Sequence, residues 1–597
     1  MIKSLRKLGR FVGRYRGRIT GGICLFLVSR LLEATIPLSL KVGVDRIANG
    51  NPDLFMPVLS IVAVVIARFI VVSWARIAVR RAGLLVAFDL RRALYAHLQS
   101  LGSRFFSQYT IGDMMTRAVA DIALVQRLIS SGTILLAIMV FASLVAFSFM
   151  LYLSPLLTLC ILPPMPLIFF YAQRAKREMG VASREVQEQL SELGTHVQEN
   201  FAGIRTIQAM VQEQNEIAGF QRTNQAYADA FYRQARINSM MDAILPSLTA
   251  ISTIAILGFG THLVLTGDIS IGDLTAFLML VSMAVQPFRV AGSLVILFQR
   301  AAVASDRLFD VFERDPEILD DPKPEVSEII RGKIELRNLT FAYGPNSVSV
   351  LVRLNLTIER GESISIMGRV GSGKTTLLKQ IVRMLDTPTG CVFVDDVDVC
   401  DFPLAQLRAQ IALVPQDPFL FGEPLRDNLT YDDPGRAIDQ IWQAAESADF
   451  SESIDAMPEK MRTLVGERGV TLSGGEKQRA TLARGLIRHA PLLLLDDCFS
   501  SVDTETEEHI LGELNRLRRG RTTLLVSHRV STARHSDRIV ILDDGRIVEI
   551  GTHNELIRRG GITLNLSAFS GKAPANPTSQ RSVSIESSEN NKWLTHR

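Results

Sequence analysis

The stretch that decides the fold runs from Leu472 to Asp503 and reads LSGGEKQRATLARGLIRHAPLLLLDDCFSSVD. Its apolar run Leu492–Leu495 has a length suited to a buried parallel strand. Asp496 and Asp497 follow this run, and ligands bind at the carboxyl ends of strands in open α/β sheets. Leucine runs that end in acids are common, so the interpretation depends on the motifs around this one.

A glycine-rich loop lies upstream, at Gly368–Thr375, and reads GRVGSGKT. It follows Ser363–Met367, which predicts a short buried strand, and a helix is predicted to open at Lys374. This order of strand, G-x-x-x-x-G-K-T and helix predicts a phosphate-binding loop rather than an ordinary glycine turn. Lys374 would reach the β and γ phosphates, and the Thr375 hydroxyl would bind Mg²⁺. The predicted phosphate contacts are Gly368, Arg369, Val370, Gly371, Ser372, Gly373, Lys374, Thr375 and Thr376.

The piece LSGGEKQR places Ser473, Gly474 and Gly475 at the start of another predicted helix. Their exposed backbone amides would form a second anion-binding terminus. One domain does not need two phosphate cradles. The second cradle is therefore predicted to bind a nucleotide held by another copy of the domain.

These motifs resemble the ATP-binding cassette (ABC) family, in which LSGGE is the signature motif and two cassettes enclose two ATP molecules head to tail. The resemblance implies that Tyr343 in FAYG stacks on adenine and that His528 in LLVSHR contacts the γ-phosphate. It implies that Gln416 in VPQDPFLF contacts Mg²⁺ and relays to the membrane domain. Ser501–Asp503 resembles the D-loop, and Glu467–Arg468 resembles the X-loop of exporters.

The motifs assign the site residues as follows. Asp496 would hold Mg²⁺ together with Thr375 and Gln416, and Asp497 would lie beside the attacking water. The predicted catalytic residues are Lys374, Gln416, Asp497 and His528. Ser473, Gly474 and Gly475 would contact the nucleotide of the opposing cassette.

Asp497 departs from the family pattern, because most fully active members have glutamate there. Aspartate is one methylene shorter, so its carboxylate would fall about 1.5 Å short of the attacking water. Loss of a positioned base typically costs ~10² to 10⁴ in rate. Asp497 therefore resembles the weaker site of a heterodimeric exporter, which is the favoured interpretation. The alternative is a slow homodimer in which Asp497 acts through a shifted water.

The composition divides the chain of 597 residues into two halves. Its 47% hydrophobic content and its mean hydropathy of +0.20 come mainly from the first half, which predicts a membrane domain followed by a soluble enzyme. The net charge of +4 is too small to indicate nucleic-acid binding.

The N-terminal residues 1–18 contain seven Lys and Arg residues and no acid. With Leu5, Leu8 and Phe11 between them, they predict an amphipathic helix on an anionic cytoplasmic leaflet. A signal peptide is the alternative, but the apolar stretch that follows is long and has no obvious small-residue cleavage site. Retention is therefore favoured.

Six stretches approach the ~20 residues that span a bilayer. They lie near residues 19–41, 54–77, 133–152, 155–173, 243–266 and 273–297. The segments after the second and fourth stretches are long and rich in Arg and Lys, so the positive-inside rule places both termini and the ATP-binding domain in the cytoplasm. By analogy, the fused layout suggests a bacterial inner (plasma) membrane.

The two long cytoplasmic segments have helical spacing, as at Leu90, Leu94 and Leu98, and predict helices that continue beyond the membrane. The regions around Gly112–Asp113 and Glu199–Ile207 resemble the coupling helices of type IV exporters, which have six spans before each cassette. In that family the second coupling helix docks on the partner's cassette. The resemblance therefore implies an intertwined dimer.

Charged residues inside the predicted spans are functional hypotheses by default. Arg30 and Glu33 lie at i, i+3 and could pair on one helix face, and Arg68 lies mid-span. Interhelical pairing or snorkelling is an equally good interpretation of Arg30 with Glu33. Arg289 is the best candidate for lining a substrate cavity.

Prolines and mixed charge predict a linker over 313–332, and a Ser-, Asn- and Pro-rich composition predicts a disordered tail. The five cysteines have neither metal spacing nor a disulfide framework. The predicted domains are an N-terminal amphipathic helix, a transmembrane domain, a linker, an ABC nucleotide-binding domain and a tail, at residues 1–18, 19–312, 313–332, 333–570 and 571–597.

The sequence thus predicts a membrane α-helical domain of six transmembrane helices with long cytoplasmic extensions, fused to an α/β P-loop cassette. Its predicted activity is Mg²⁺-dependent ATP hydrolysis that drives a hydrophobic or amphipathic substrate, a small molecule or a lipid-like one, out across the lipid membrane. The predicted partner is a second ABC half-transporter. Two alternatives remain open: a regulatory subunit that retains ATP at its own site and, less favoured, an importer.

Overall fold

The chain forms two compact units, residues 1–100 with 109–315 and residues 101–108 with 316–597. The computed structural model describes residues 2–51, 53–159, 164–320, 329–344, 347–466, 469, 471–517 and 520–559. The predicted tail 571–597, the X-loop pair Glu467–Arg468 and Cys160 lie outside the described residues. The side chain of Arg289 is also outside the description, so its proposed place in a cavity stays a prediction.

The described part of residues 2–320 forms helices and turns and contains no strand. The helices are α1 (Ile2–Lys7), α2 (Gly9–Val12), α3 (Arg16–Ala48), α4 (Phe55–Ser100), α5 (Ser103–Gln108), α6 (Ile111–Thr116), α7 (Ile122–Arg127), α8 (Thr133–Leu153), α9 (Pro155–Leu159), α10 (Pro164–Ala202), α11 (Ile204–Ala209), α12 (Glu213–Thr266) and α13 (Ile271–Phe312). Two π-helical segments, Arg117–Asp121 and Leu128–Gly132, join α6, α7 and α8 into one continuous rod.

Three helical stretches in the described residues are long and apolar enough to cross a membrane: Gly9–Ala48, Phe55–Ser100 and Ile111–Leu153. Of two shorter apolar stretches, Thr253–Thr266 falls within the fifth predicted span and Ile271–Ala284 overlaps the sixth. The fourth predicted span, 155–173, includes residues 160–163, which are not described. The helical membrane domain is therefore confirmed, and the count of six spans stays a prediction.

The longest helices extend beyond any bilayer. The helix α12 has 54 residues, and at 1.5 Å per residue it measures about 80 Å, against a hydrocarbon core of about 30 Å. The preceding helix α10 has 39 residues, and the short helix α11 lies between the two, where a coupling helix was predicted. The predicted long extensions are thus part of the fold.

The N-terminal segment contains α1 and α2, and a 3₁₀ turn at Gly13–Tyr15 joins α2 to α3. The amphipathic helix over 1–18 stays a prediction. Part of its polar face contacts α13 of the same unit. Ser4 Oγ donates to Asp306 Oδ2 at 2.8 Å, and Lys7 Nζ donates to Glu313 Oε1 at 2.6 Å. The second contact uses one of the seven basic residues that were predicted to face the membrane surface.

The second unit contains two sheets and, among its described residues, ten α-helices including α5. Its strands are β1 (Ile334–Phe341), β2 (Leu351–Ile358), β3 (Ser363–Met367), β4 (Val392–Val394), β5 (Val397–Asp398), β6 (Ile411–Val414), β7 (Leu492–Asp496), β8 (Thr522–Val526), β9 (Arg538–Asp543) and β10 (Arg546–Gly551). Its helices after α5 are α14 (Lys374–Ile381), α15 (Leu404–Ala409), α16 (Leu425–Leu429), α17 (Ile438–Ser447), α18 (Ser451–Ala456), α19 (Gly474–Leu486), α20 (Thr504–Leu517), α21 (Val530–Ala533) and α22 (His553–Arg559).

The larger sheet has the strand order β10-β9-β3-β8-β7-β6, and all its neighbours are parallel except the β10–β9 pair. The smaller sheet, β2-β1-β4-β5, is antiparallel. Every residue of β3, β7 and β8 is buried, in keeping with their mostly apolar sequences SISIM, LLLLD and TTLLV. The predicted strands at Ser363–Met367 and Leu492–Leu495 are confirmed, and β7 extends one residue further to include Asp496.

Residues 101–108 group with the second unit, whereas the sequence prediction placed them within 19–312. The reason is local: the Glu317 carboxylate accepts hydrogen bonds from the backbone N–H groups of Phe105 at 3.0 Å and Arg104 at 3.4 Å. These N–H groups are in the first turn of α5 and have no partner within the helix. The other predicted domain boundaries stay predictions.

Candidate functional site

Four loops meet at the carboxyl edge of the parallel sheet, because β3, β8, β7 and β6 are successive parallel neighbours. In that spatial order they carry the glycine loop, His528, the pair Asp496–Asp497, and Gln416. The exposed side chain of Gln416 follows Val414, which pairs with Leu495 of β7. The sheet thus brings these predicted site residues to the edge where open α/β sheets bind ligands.

The glycine loop has a backbone that only glycine adopts easily. Gly368, Gly371 and Gly373 have φ values of +155°, +87° and +100°. A Cβ at Gly368 would lie 2.0 Å from Leu542 O, so side chains are excluded there. Gly373 precedes the first residue of α14 and supplies no side-chain cap, which leaves the first N–H groups of this helix free for an anion.

We expect Gly368→Ala to lower the free energy of unfolding of the second unit by about 2 to 4 kcal/mol, because the new methyl group would clash with a carbonyl and favour a different backbone conformation. Thermal unfolding and MgATP binding of the purified protein measure both consequences. Gly512→Ala in α20 is the matched control, since nothing lies within 4 Å of its added Cβ. Equal stability of the two variants would contradict the role assigned to this glycine.

The Lys374 side chain is folded into the loop that it follows. It is buried, and Nζ donates hydrogen bonds to Gly368 O at 2.9 Å and Arg369 O at 2.8 Å. Burial lowers the pKa of Lys374, and the carboxylates of Asp497 and Asp496 partly oppose that shift. A cation is therefore held where phosphate oxygens would enter.

Thr375 and Asp496 join the glycine loop to β7, since Thr375 Oγ1 donates to Asp496 Oδ1 at 3.1 Å. Burial raises the pKa of Asp496, while the hydrogen bond from Thr375 opposes this shift. The described residues contain no group of three or more His, Cys, Asp and Glu that could hold a metal ion. Two protein oxygens fit Mg²⁺, which usually takes its other ligands from phosphate and water. The Ser372 hydroxyl is buried without a partner, as expected of a group that binds a phosphate oxygen.

Asp497 and His528 face each other across the crevice, with 4.0 Å between Oδ2 and Nε2. This separation is too long for a hydrogen bond, so each group can bind a ligand atom. Asp497 has a φ of +44°, in the left-handed region that aspartate tolerates better than most residues, and its N–H donates to Val526 O at 3.0 Å. Burial and the nearby Lys374 lower the pKa of His528, so its imidazole is neutral at pH 7 and has one N–H donor.

The aromatic ring of Tyr343 lies beside the start of α14. Its hydroxyl and Thr376 Oγ1 are 3.0 Å apart, and its ring packs edge-on against Phe341 with 5.3 Å between centroids. The Tyr343 residue is 46% exposed, so part of the ring remains free for stacking. This geometry is consistent with the adenine contact that the sequence implied.

The signature residues Ser473, Gly474 and Gly475 open α19. Ser473 forms a capping box with Glu476, whose carboxylate accepts from Ser473 N at 2.7 Å. In the described part of the chain, the hydrogen bonds between this helix and other segments involve Ser453, Phe419 and the turn at Ser500–Ser501, and none involves the glycine loop. One chain therefore does not bring its own signature residues to its own glycine loop.

Glu507 is a carboxylate that the sequence reasoning missed. It is buried at 1% exposure on α20 and accepts hydrogen bonds from Arg529 and Thr532, just after His528. It therefore fixes the segment that carries the histidine. The sequence did contain a signal for Glu507, because it lies three, four and seven residues before the apolar residues Ile510, Leu511 and Leu514, on the same face of the helix. A carboxylate on a buried apolar face needs a partner.

Comparisons with known proteins agree with this architecture. Residues 19–288 match the ABC transporter transmembrane region, and residues 351–500 match the family described as ABC transporter. YgaD of Bacillus subtilis, a putative multidrug export ATP-binding/permease protein, is 30% identical over 566 residues, which cover 93% of this chain and 97% of YgaD. A protein of the same description from Staphylococcus aureus is 32% identical over 567 residues, which cover 93% and 98% of the two chains.

A solved structure of a bacterial Atm1-family ABC exporter with ATP bound has the same fold, with a TM-score of 0.70 at 23% identity over 94% of this chain and 99% of that one. A helical membrane domain joined to a P-loop cassette defines a membrane-embedded ABC protein. The chain belongs to the ABC transporter family.

Proposed function

We propose that the chain is one half of an ATP-driven exporter that moves a hydrophobic or amphipathic substrate out across a bacterial inner membrane. The observation that carries the proposal is the Thr375–Asp496 hydrogen bond beside the buried Lys374, in a chain that also contains membrane-spanning helices. The two relatives described as putative multidrug export proteins support the direction and the substrate class.

The geometry assigns a step of phosphoryl transfer to each side chain. Lys374 would exchange its two carbonyl partners for β and γ phosphate oxygens. Thr375 and Asp496, with Gln416 from the neighbouring loop, would hold Mg²⁺, whose charge offsets the charge on the phosphates. Neutral His528 would donate its N–H to the γ-phosphate, and Asp497 would accept a hydrogen bond from the attacking water.

A dimer is supported by the position of the signature residues, because in the described part of the chain their helix makes no hydrogen bond with its own glycine loop. We propose that Ser473, Gly474 and Gly475 bind the nucleotide held by a second half-transporter, and that closure of the two cassettes drives the membrane domains. The short carboxylate of Asp497 favours a heterodimer in which a glutamate-bearing partner carries the faster site. A slow homodimer and a regulatory subunit that retains ATP are the alternatives.

Transport is tested with inside-out membrane vesicles, in which the cassettes face the medium. We expect ATP to drive accumulation of a fluorescent cationic dye, rhodamine 6G, or of a dansylated fatty acid, and we expect no accumulation without ATP. Vesicles that contain an exporter of unrelated fold provide the background. Tight ATP binding without ATP-driven accumulation of either probe, by this chain alone or with a glutamate-bearing homologue, would favour the regulatory subunit.

A further inference from the structure

A charged cluster lies inside the membrane domain, on α3 and α4. Glu33 of α3 accepts hydrogen bonds from two arginines, from Arg30 Nη1 on the same helix and from Arg68 Nη2 of α4, the latter at 2.7 Å. Two guanidinium groups thus share one carboxylate. The Arg30–Glu33–Arg68 cluster has a net charge of +1, so its internal pairing is incomplete.

The register of α3 against α4 places this cluster far from both helix ends. A Cβ at Gly22 would lie 3.3 Å from Ala75 O, and one at Gly43 would lie 3.6 Å from Pro57 Cβ, so the two helices pack antiparallel. The cluster lies between these two contacts, in the middle of the apolar stretches 19–41 and 54–77. An unbalanced charge at that depth is unfavourable unless a counter-charge accompanies it.

Several donors in and beside the cluster have no partner among the residues that the structure describes. Arg30 Nε, Arg68 Nε and the hydroxyl of Ser29 are all buried and make no hydrogen bond. Arg30 is only 9% exposed and Ser29 is 0% exposed. Arginine has donors and no acceptor, and buried donors are normally satisfied. A group that satisfies these donors would offer acceptor atoms.

A second unpartnered hydroxyl, Ser143 of α8, lies at a similar depth. On α8 it is placed between Ala137, which belongs to one apolar cluster with Phe26 of α3, and Val145, which belongs to another with Ala34 of α3. Since Arg30 is midway between Phe26 and Ala34, Ser143 and Arg30 are at the same level of the bundle. The whole of α8 has no charged residue, so it supplies no counter-charge.

We propose that Arg30 and Arg68 form an anion-binding site in the membrane domain, which binds the carboxylate or phosphate group of an amphipathic molecule. The cluster is closed around Arg30, whose side chain is 10% exposed, and more open at Arg68, whose side chain is 34% exposed. The acidic group enters at Arg68, and the apolar body lies against the exposed apolar side chains of the neighbouring helix turns.

This assignment rests on the proposed transport function, because it makes an anionic amphiphile the substrate class. The same acidic group is found on a transported compound and on an anionic lipid. Exposed Arg76, two helix turns beyond Arg68 on the same face of α4, adds positive charge along the approach. A purely structural ion pair with Glu33 would need only one of the two arginines, Arg30 or Arg68.

The test measures equilibrium binding of 11-(dansylamino)undecanoic acid, and of its uncharged primary amide, to the full-length chain in phosphatidylcholine nanodiscs without ATP. Empty nanodiscs give the background for partition into lipid. We expect Arg68→Gln to weaken binding of the acid about 10- to 100-fold, as for loss of a charge-assisted hydrogen bond, and to leave binding of the amide unchanged. Arg68→Lys should retain most of the affinity for the acid.

Two further variants keep the proposal falsifiable if Arg68→Gln does not fold. Glu33→Gln removes the competing carboxylate and should strengthen binding of the acid. Arg80→Gln changes an exposed arginine of the same helix, beyond the predicted span, and should change nothing. Nanodiscs with phosphatidylglycerol distinguish the two sources of the acidic group. If this lipid competes with the dansylated acid, the ligand is a lipid head group. If it does not compete, the ligand is a non-lipid anion.

Two results would overturn the site. One is equal binding of the acid to wild type, Arg68→Gln and Glu33→Gln. The other is dissociation of the dimer by Arg68→Gln with unchanged binding of the acid, which would assign the counter-charge to a partner chain. This assay uses neither ATP nor transport, so the two proposals can fail separately. Intact acid binding without vesicle transport would contradict the proposed function and leave the anion-binding site standing. Vesicle transport without acid binding would contradict only the site.

Discussion

Replacing Lys374 by methionine should lower ATP hydrolysis by ~10² to 10³, the typical effect of removing one preorganised charge donor from a transition state. Binding of MgATP should weaken about 10- to 100-fold, because a charge-assisted hydrogen bond is lost. The effect is large because Lys374 is buried and already held in the glycine loop by two carbonyl groups. Filter binding of radiolabelled ATP and phosphate release measure the two effects separately.

Lys460→Met is the matched control for this experiment. Lys460 also belongs to the second unit, but its side chain is 60% exposed and pairs with Asp455 at 2.8 Å on the surface. Exposed pairs contribute little, so binding and hydrolysis should be unchanged. Comparable losses in the two variants would show that the Lys374 effect is a general loss of stability. Binding of ATP by Lys374→Met with unchanged affinity would contradict its role at the phosphates.

The glycine loop and the acidic strand end could be predicted from the sequence because each is a local pattern with one structural outcome. A run such as Leu492–Leu495 fits a fully buried strand, and Gly368 and Gly373 occupy backbone conformations that exclude other residues. The parallel register of β3, β8 and β7 then brings the loops together without further information. Consequently, the predicted residues Lys374, Thr375, Asp496, Asp497 and His528 reach one edge of one sheet.

Contacts between distant segments could not be predicted in the same way. Glu317 binds the first turn of α5 across more than two hundred residues, and no local pattern announces such a partner. The sequence suggested that Arg30 pairs with Glu33 on one helix face, but the sharing of that carboxylate with Arg68 depends on the packing of α3 against α4. The N-terminal segment likewise has an amphipathic pattern, although Ser4 and Lys7 contact α13. Periodicity identifies a face and does not identify what covers it.

The geometry around Asp497 and His528 shows why it matters that residue 497 is aspartate and not the longer glutamate. Their closest side-chain atoms are 4.0 Å apart, and the left-handed backbone of Asp497 fixes the direction of its carboxylate. A group that must reach a water on the γ-phosphate cannot gain length by rotating the backbone, because the N–H of Asp497 is held by Val526 O at 3.0 Å. Side-chain length is therefore the variable that remains.

Asp497→Glu should raise steady-state ATP hydrolysis by ~10² to 10⁴ in the chain purified alone in lipid, because one added methylene, about 1.5 Å, carries the carboxylate to the attacking water. The same change should lower the free energy of unfolding of the second unit by about 1 kcal/mol or less, since aspartate tolerates the left-handed conformation better than glutamate. Phosphate release measures the expected gain in hydrolysis, and thermal unfolding measures the expected loss of stability.

Asp455→Glu, on the exposed surface at 57% side-chain exposure, controls for the added methylene and should alter neither quantity. A wild-type rate already within the ordinary range of ~1 to 10³ per second, with little gain from glutamate, would make Asp497 a working base and a homodimer sufficient. A nearly silent wild type with turnover restored by glutamate would show that the chain dimerises and that its own site is limited by reach. The physiological partner would then be a half-transporter with glutamate at this position, completed by the intact Ser473, Gly474 and Gly475 of this chain.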